Sequence, residues 1–287
     1  LFSGGMAGWV HALVAIAAPH DGSTFLNVQP DAANALSTLF LGAARALGIS
    51  AFKGVYDFQL DQFGIRKDDK VAVLLYNCIE WLPIYFGVLK SGATVVPLNF
   101  RYSADEIRYC VEKSDADILV FGPEFTGRVE EIVPQIQKGR LLFYVGDDCP
   151  TWAEPYQELV GLCSSADPMI PLSEDEDAAV YFSSGTTGFP KAILHHHQSL
   201  TQAAIMEQKH HGQTHDGFFL CIPPLYHTGA IMHWMGSLAV GGRGVLLRGV
   251  SPKTILETVS NERCTIVWLL VPWAQDILLA IEQGTVT

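Results

Sequence analysis

The run Tyr181-Phe-Ser-Ser-Gly-Thr-Thr-Gly-Phe-Pro-Lys191 combines the residue types that bind a phosphate group. Gly185 and Gly188 permit close backbone approach, so successive backbone N–H groups can converge on one anion. Lys191 supplies a mobile point charge. Four hydroxyl side chains add further donors: Ser183, Ser184, Thr186 and Thr187. Together they predict a local cradle of the kind that a nucleotide triphosphate needs.

The spacing of this run differs from that of the Walker phosphate loop, G-x-x-x-x-G-K-[ST]. Pro190 precedes the lysine and Ala192 follows it, so a Walker-type loop that enters a helix is excluded. The structural alternative is a Gly/Thr-rich hairpin that only joins two strands, and composition alone would favour it.

Histidines are the second group of side chains that could do chemistry. His227 stands in the run Cys221-Ile-Pro-Pro-Leu-Tyr-His-Thr-Gly229 and, taken alone, is best explained as a loop or core histidine. The others could suggest a metal site, but neighbouring side chains of a strand point to opposite faces. No Cys or acidic cluster completes a four-ligand set with them. We therefore expect solvated or partly buried side chains at His195, His196, His197, His210, His211 and His215.

The overall composition is that of a core-rich globular protein. Hydrophobic residues make up 49% of the 287 residues and charged residues 17%, against a usual charged share of about 25%. This composition excludes a disordered or low-complexity chain. The net charge of −12 repels a nucleic-acid backbone, so we expect no nucleic-acid partner. An anionic ligand must be held by local donors such as those of the glycine run.

Cysteine spacing and hydropathy favour a cytoplasmic protein. The six cysteines include no CxxC pair, which is typical of free thiols in a reducing compartment. The apolar run 9–18 is shorter than the ~20 residues that cross a bilayer, so we expect no transmembrane segment. The chain starts at Leu1 and stops at Thr287 directly after a helical pattern, and we interpret it as a fragment.

Short apolar runs alternate with amphipathic stretches along most of the chain, and this alternation predicts βαβ units. The fold class is α/β, with mainly parallel sheets flanked by helices. We predict helices at 31–47, 79–90, 103–114, 128–137, 199–209 and 252–262. We predict strands at 70–76, 94–97, 117–121, 141–145, 178–182, 192–195, 217–222, 245–247 and 265–271.

We divide the chain into three parts. Residues 1–50 form an unassigned N-terminal segment, and residues 51–170 form a first α/β subdomain. Residues 171–287 form a second α/β subdomain that carries the glycine run. The polar and acidic stretch 163–177 marks the boundary between the two subdomains.

The glycine run resembles the phosphate-binding loop of the adenylate-forming superfamily, which includes acyl-CoA synthetases, luciferases and peptide-synthetase adenylation domains. The pattern of that loop is Ser-Gly-Thr-Thr-Gly-x-Pro-Lys-Gly, with a later His. This sequence departs from it at Ala192, and His197 falls on the later His position. The segment around His227 is similar to the family's Pro-Leu-Phe-His-x-x-Gly. The stretches 71–106 and 265–272 also resemble segments of this family. The resemblance covers residues 64–287.

The resemblance implies the large N-terminal domain of an enzyme that joins a small carboxylic acid to CoA with ATP and Mg²⁺. It makes Lys191 and His227 catalytic residues and places Thr187 next to the metal. The substrate pocket would consist of His227, Thr228, Gly229 and Trp234. The phosphates of ATP would be bound by Ser183, Ser184, Gly185, Thr186, Thr187, Gly188 and Lys191.

Several family motifs are absent from these 287 residues. They are Tyr-Gly-x-Thr-Glu, whose Glu binds Mg²⁺, Thr-Gly-Asp, whose Asp binds the ribose, and the small C-terminal domain with its lysine. We expect this chain to be inactive by itself. Two interpretations stay open: the N-terminal part of an acyl-CoA synthetase, and a truncated, non-catalytic nucleotide-binding or interaction protein. A luciferase or peptide-synthetase domain is a third option.

The acid itself is only weakly indicated. Large side chains near the expected acyl pocket could shorten it, which favours a short- to medium-chain or aromatic acid. Ordinary helix core is the alternative role for these side chains. They are Met232, Trp234, Met235 and Trp273.

Overall fold

The computed structural model describes residues 67–137, 141–162, 170–183, 188–247 and 249–286. The helix predicted at 31–47 and the whole unassigned segment 1–50 lie outside these ranges. Helices and strands are numbered below from the first described residue.

The larger sheet has seven strands in the order β5-β4-β3-β1-β2-β6-β7. Every neighbouring pair is parallel except β6 and β7, which form an antiparallel hairpin. β7 is the last strand of this order, and most of its side chains are exposed. The strands are β1 Lys70–Leu74, β2 Thr94–Pro97, β3 Ile118–Phe121, β4 Leu141–Tyr144, β5 Glu154–Pro155, β6 Asp177–Ser183 and β7 Lys191–His196.

The smaller sheet has three parallel strands in the order β10-β8-β9. They are β8 Phe218–Cys221, β9 Arg243–Leu246 and β10 Ile266–Val267. A short 3₁₀ turn, Pro123–Phe125, follows β3. The α-helices are α1 Trp81–Lys90, α2 Ala104–Ser114, α3 Thr126–Ile132, α4 Tyr156–Leu162, α5 His197–His210, α6 Thr228–Ala239, α7 Pro252–Glu262 and α8 Val271–Glu282.

The central strands are buried on both faces, as their continuous apolar sequences predict. In β1, Val71 and Val73 pack into one hydrophobic core, whereas Ala72 and Leu74 pack into a second core on the opposite face. Side chains of α1, α5 and α6 fill the first core, and side chains of α2 and α3 fill the second. The larger sheet therefore lies between two helical layers.

The smaller sheet is covered in the same way. Phe219 and Cys221 of β8 join the core that contains α6. Leu220 packs with Ile255 of α7 and Ile277 of α8 in a third core. The α5–α6 layer thus lies between the two sheets, and α7 and α8 cover the far face of the smaller one.

The α/β class and the mainly parallel sheets are confirmed. The capping box at the start of α2 also forms: Glu106 N donates to Ser103 Oγ over 3.3 Å, and Ser103 N donates to Glu106 Oε2 over 2.8 Å. The division of the chain at residue 170 stays a prediction. Strands from both sides of that boundary share the larger sheet, because β2 pairs with β6.

Some predicted boundaries are wrong. The strand predicted at 265–271 is limited to Ile266–Val267, because Val271 already begins α8 with Pro272 in its first turn. The helix predicted at 128–137 ends at Ile132, two residues before Pro134, which lacks the N–H that would continue it. The helix predicted from residue 199 begins two residues earlier, at His197.

Helices α5 and α6 approach each other closely at Gly236. A Cβ atom at Gly236 would lie 2.4 Å from Gln213 Oε1 and 2.8 Å from the backbone oxygen of Ala204. Gln213 is buried, and its Nε2 donates to the His233 oxygen and to Ser237 Oγ, each over 3.0 Å. Because Gln213 cannot move without losing these bonds, α6 needs a glycine at this point.

We predict that Gly236→Ala lowers the free energy of unfolding by about 1–3 kcal/mol, the usual cost of overpacking a core. Gly127→Ala in α3 is the matched control, since a Cβ there meets nothing within 4 Å. It should leave stability unchanged or raise it by up to about 1 kcal/mol, because alanine is the better helix former. Urea unfolding of the two variants measures both changes. Equal effects would contradict the close contact.

Candidate active site

The glycine run forms the connection of the β6–β7 hairpin. Ser183, the last residue of β6, pairs directly with Lys191, the first residue of β7. The two ends of the predicted phosphate-binding loop are therefore cross-strand neighbours, and the side chain of Lys191 is exposed. Four of the predicted phosphate-binding residues lie outside the described residues: Ser184, Gly185, Thr186 and Thr187.

Gly188 and Phe189 lie between the loop and β7. Gly188 has a φ of +122°, a conformation that L side chains rarely adopt. Phe189 stacks on Tyr109 of α2 with ring centroids 4.5 Å apart. Phe189, two residues before β7, is thereby held against α2, outside the core.

The base of the hairpin is attached to α1 in the core. The hydroxyl groups of Tyr181 and Tyr85 lie 3.0 Å apart and are hydrogen-bonded. Burial raises the pKa of Tyr85 and of Tyr181, so both phenols stay neutral. This buried pair fixes β6 two residues before the loop begins.

The segment that carries His227 is held by a residue of the larger sheet. Asn77 follows β1 and is buried. Its Nδ2 donates to the Pro223 oxygen over 3.0 Å, and its Oδ1 accepts from the Leu225 N–H over 2.9 Å. Asn77 thus connects the carboxyl end of β1 to the chain that leaves β8, and sequence reasoning did not single it out.

His227 is the N-cap of α6, and its side chain is exposed. Its Nδ1 accepts a hydrogen bond from the Gly229 N–H over 3.2 Å. Because Nδ1 is an acceptor, the neutral ring carries its proton on Nε2 and can donate it to a ligand oxygen. The N-terminal end of α6 also carries a partial positive charge. The two features together favour an anionic group in front of His227.

Gly229 is needed at this site for a steric reason. A Cβ atom there would lie 2.6 Å from Cη2 of Trp268, and the centroid of the same indole lies 6.0 Å from that of the His227 ring. Thr228 between them is exposed. His227, Thr228 and Gly229 therefore form one surface with Trp268 beside it.

Trp234 lies deeper, with 1% of its surface exposed. It packs against Phe219 with ring centroids 6.0 Å apart and covers Gly244, where a Cβ would approach the indole to 2.8 Å. Met232 and Met235 lie in the same core, and Trp273 packs against the third core. Such packing is what the helix-core alternative predicts, and the role of these residues in an acyl pocket stays a prediction.

The remaining histidines lie in three kinds of surroundings. The side chain of His197 is buried, and this burial lowers its pKa. The backbone N–H of His197 donates to the backbone oxygen of Glu176 over 3.1 Å. His196 and His215 lie on the surface beside Asp177 and Asp216. His211 behaves differently, because it meets Glu207 and His233. Sequence reasoning missed this cluster, because His233 lies on another helix.

A separate cavity of about 390 Å³ lies at the carboxyl ends of β1, β3 and β4. Four carboxylates line it: Glu80, Glu124, Asp147 and Asp148. Such a lining repels the phosphates of a nucleotide. The cavity is therefore a poor candidate for the predicted phosphate-binding site.

None of the helices in the described ranges is both long enough and apolar enough to cross a membrane.

The sequence profile of one family, described as AMP-binding enzyme, matches residues 59–285. The chain belongs to this family. Among curated AMP-binding relatives, the 4-hydroxybutyrate–CoA ligase 2 of Metallosphaera sedula is 31% identical over 212 residues, which are 70% of this chain and 38% of that protein. The chain spans less than half the length of the curated relatives that it matches.

Solved structures show the same fold. The inhibitor-bound N-terminal domain of FACL13 from Mycobacterium tuberculosis superposes with a TM-score of 0.69 at 22% identity, covering 79% of this chain and 55% of that one. An anthranilate CoA ligase, AuaEII, in complex with anthranoyl-AMP gives a TM-score of 0.70 at 22% identity, covering 76% and 43%. The resemblance to adenylate-forming enzymes and the N-terminal-domain fold are confirmed.

We predict that Asn77→Ala lowers the free energy of unfolding by about 2 kcal/mol or more, because it leaves a buried carbonyl and a buried N–H without partners. Asn99→Ala is the control. Asn99 also bonds a backbone N–H, that of Arg101 over 2.9 Å, but at the surface, so its loss should cost at most about 1 kcal/mol. Denaturant unfolding compares the two variants, and a cost for Asn77→Ala no larger than for the control would contradict its bridging role.

Proposed function

We propose that the protein carrying this chain activates a small carboxylic acid with ATP and transfers it to CoA. An oxygen of the acid attacks the α-phosphorus of ATP, and the bond to the β-phosphate oxygen breaks, which gives an acyl-adenylate and pyrophosphate. The thiol of CoA then loses its proton, attacks the acyl carbon and releases AMP. Support comes from membership of the AMP-binding family and from relatives whose names are those of CoA ligases.

The observation that carries this proposal is the pairing of Ser183 with Lys191 at the mouth of the β6–β7 hairpin. The pairing directs both ends of the Gly/Thr-rich connection to one place, where the β- and γ-phosphates would bind. Lys191 is exposed there and would supply a local positive charge in a protein whose net charge is −12. The loop residues proposed as ligands are Ser183, Ser184, Gly185, Thr186, Thr187 and Gly188.

Mg²⁺, when bound, would neutralise phosphate charge. The hydroxyl oxygen of Thr187 is a hard donor of the kind that this ion prefers, and we propose it as the metal-side residue of the loop.

His227 would orient the acid. Its Nδ1 is already used by the Gly229 N–H, so the Nε2 proton is the one available to a carboxylate or phosphate oxygen. The partial positive charge at the start of α6 would act in the same direction. We place the carboxylate in front of His227, Thr228 and Gly229.

The 287-residue chain by itself should not complete the reaction, because the motifs that bind the metal and the ribose are not in its sequence. We predict that the purified chain releases no pyrophosphate above the background without protein when given ATP, Mg²⁺ and a panel of short, medium-chain and aromatic acids. Robust acyl-adenylate formation by the chain would contradict this expectation.

The native protein supplies the complementary test. Its intact mass shows whether the polypeptide continues past Thr287. If it continues and catalyses acid-dependent exchange of pyrophosphate into ATP, the ligase proposal holds. If it ends at Thr287 and binds nucleotide without exchange, the non-catalytic alternative replaces it.

The role of His227 can be separated from its capping role. His227→Asn keeps an N-cap acceptor for the Gly229 N–H but removes the Nε2 donor. We predict unchanged thermal stability and a rise of roughly tenfold or more in the KM for the acid in the native protein, the value of a hydrogen bond to a charged group. The surface variant His215→Asn should change neither quantity. A His227→Asn protein with wild-type kinetics would show that the histidine only caps the helix.

A further inference from the structure

Three side chains from two helices meet at the edge of the α5–α6 layer. Glu207 lies in the last turn of α5, and His211 is the C-cap residue of that helix, four positions later, a spacing that brings the two side chains together. His233 reaches them from α6. Glu207 Oε2 lies 3.2 Å from His211 Nε2 and 3.3 Å from His233 Nδ1, and the three ligand atoms all lie within 4.8 Å of one another.

The two N–O distances match the edges of a metal coordination polyhedron. Ligand atoms bound about 2.0–2.2 Å from a tetrahedral zinc ion lie about 3.4 Å apart. The two N–O distances are already close to that value, and the third distance, between the two imidazole nitrogens, is no more than 4.8 Å. The donors are two imidazole nitrogens and one carboxylate oxygen, a set that suits zinc, whereas Mg²⁺ and Ca²⁺ take all-oxygen sites.

The backbone around this cluster is held in place before any ion binds. His233 is 5% exposed, and its ring packs on Phe219 with centroids 4.4 Å apart. Gln213 binds the backbone oxygen of His233, and Gly236 on the next turn allows the close approach of the two helices. A site built on two packed helices keeps its ligands more precisely than a loop does.

The cluster also has the access that metal binding needs. The side chain of His211 is 55% exposed and gives an entry path from solvent. Zinc would bind between His233 Nδ1 and the Glu207 carboxylate. The single ring proton of His233 would then be on Nε2.

We propose that Glu207, His211 and His233 form a zinc-binding site, with water as the fourth ligand. The ion would join the last turn of α5 to α6 and stabilise the helical layer between the two sheets. The site uses none of the residues assigned to ATP, the acid or CoA, so it stands independently of the proposed function.

The test is a zinc titration of the purified protein, with any affinity tag removed, by calorimetry and by competition with a chromophoric chelator. We expect about one equivalent of zinc to bind and the thermal midpoint to rise. His211→Ala and Glu207→Gln should weaken binding by about tenfold or more, since even the loss of an outer-shell partner costs ten- to a hundredfold. His210→Ala, a neighbouring exposed histidine outside the cluster, should bind like the wild type.

Co²⁺ substitution gives an independent measurement. The wild type and His210→Ala should show the visible bands of tetrahedral Co²⁺, and His211→Ala should lose them. His211 and Glu207 are not core residues, so both variants should fold, which unfolding curves without metal verify. If the wild type binds no zinc, or if all variants bind equally, the three side chains form only a hydrogen-bonded group and the proposal fails.

Discussion

The close contact between α5 and α6 is the constraint on which the rest of the structure depends. Each sheet has one face that is covered by this helical layer, and a single hydrophobic core runs from β1 through the two helices to β8. The contact is possible because Gly236 has no side chain where Ala204 and Gln213 approach. The hairpin loop belongs to the larger sheet and His227 to the chain that leaves the smaller one. Their relative placement therefore rests on this contact and on the Asn77 bridge.

An acidic protein must concentrate its attraction for an anion in a small region. With a net charge of −12, the surface as a whole repels a nucleotide. The cavity beside β1, β3 and β4 repels it too, because four carboxylates line it. The start of β7 and the start of α6 are different, because each exposes a side chain that can donate a hydrogen bond, Lys191 and His227. These short-range donors act at contact distance, where the net charge is largely screened.

The sequence allowed correct prediction wherever the determining forces are local or strongly periodic. The capping box of Ser103 and Glu106 and the apolar β1 are both encoded within a few neighbouring residues. Asn77 and His233 could not be predicted, because their partners lie far along the chain and only the packing of separate elements brings them together. Val271 was assigned to a strand for a related reason: a short apolar run does not distinguish a strand from the first turn of a helix.

The position of β7 has a consequence for handling the protein. In the part of the chain that the structure describes, β7 is the end strand of the larger sheet, and Ile193 and Leu194 are exposed on it. The free edge of an end strand can form hydrogen bonds with a strand of another molecule, which promotes edge-to-edge association. Mutual repulsion between molecules of net charge −12 opposes that association. Attraction between β7 edges and charge repulsion between whole molecules therefore oppose each other in solutions of the isolated chain. Added salt screens the repulsion and favours aggregation.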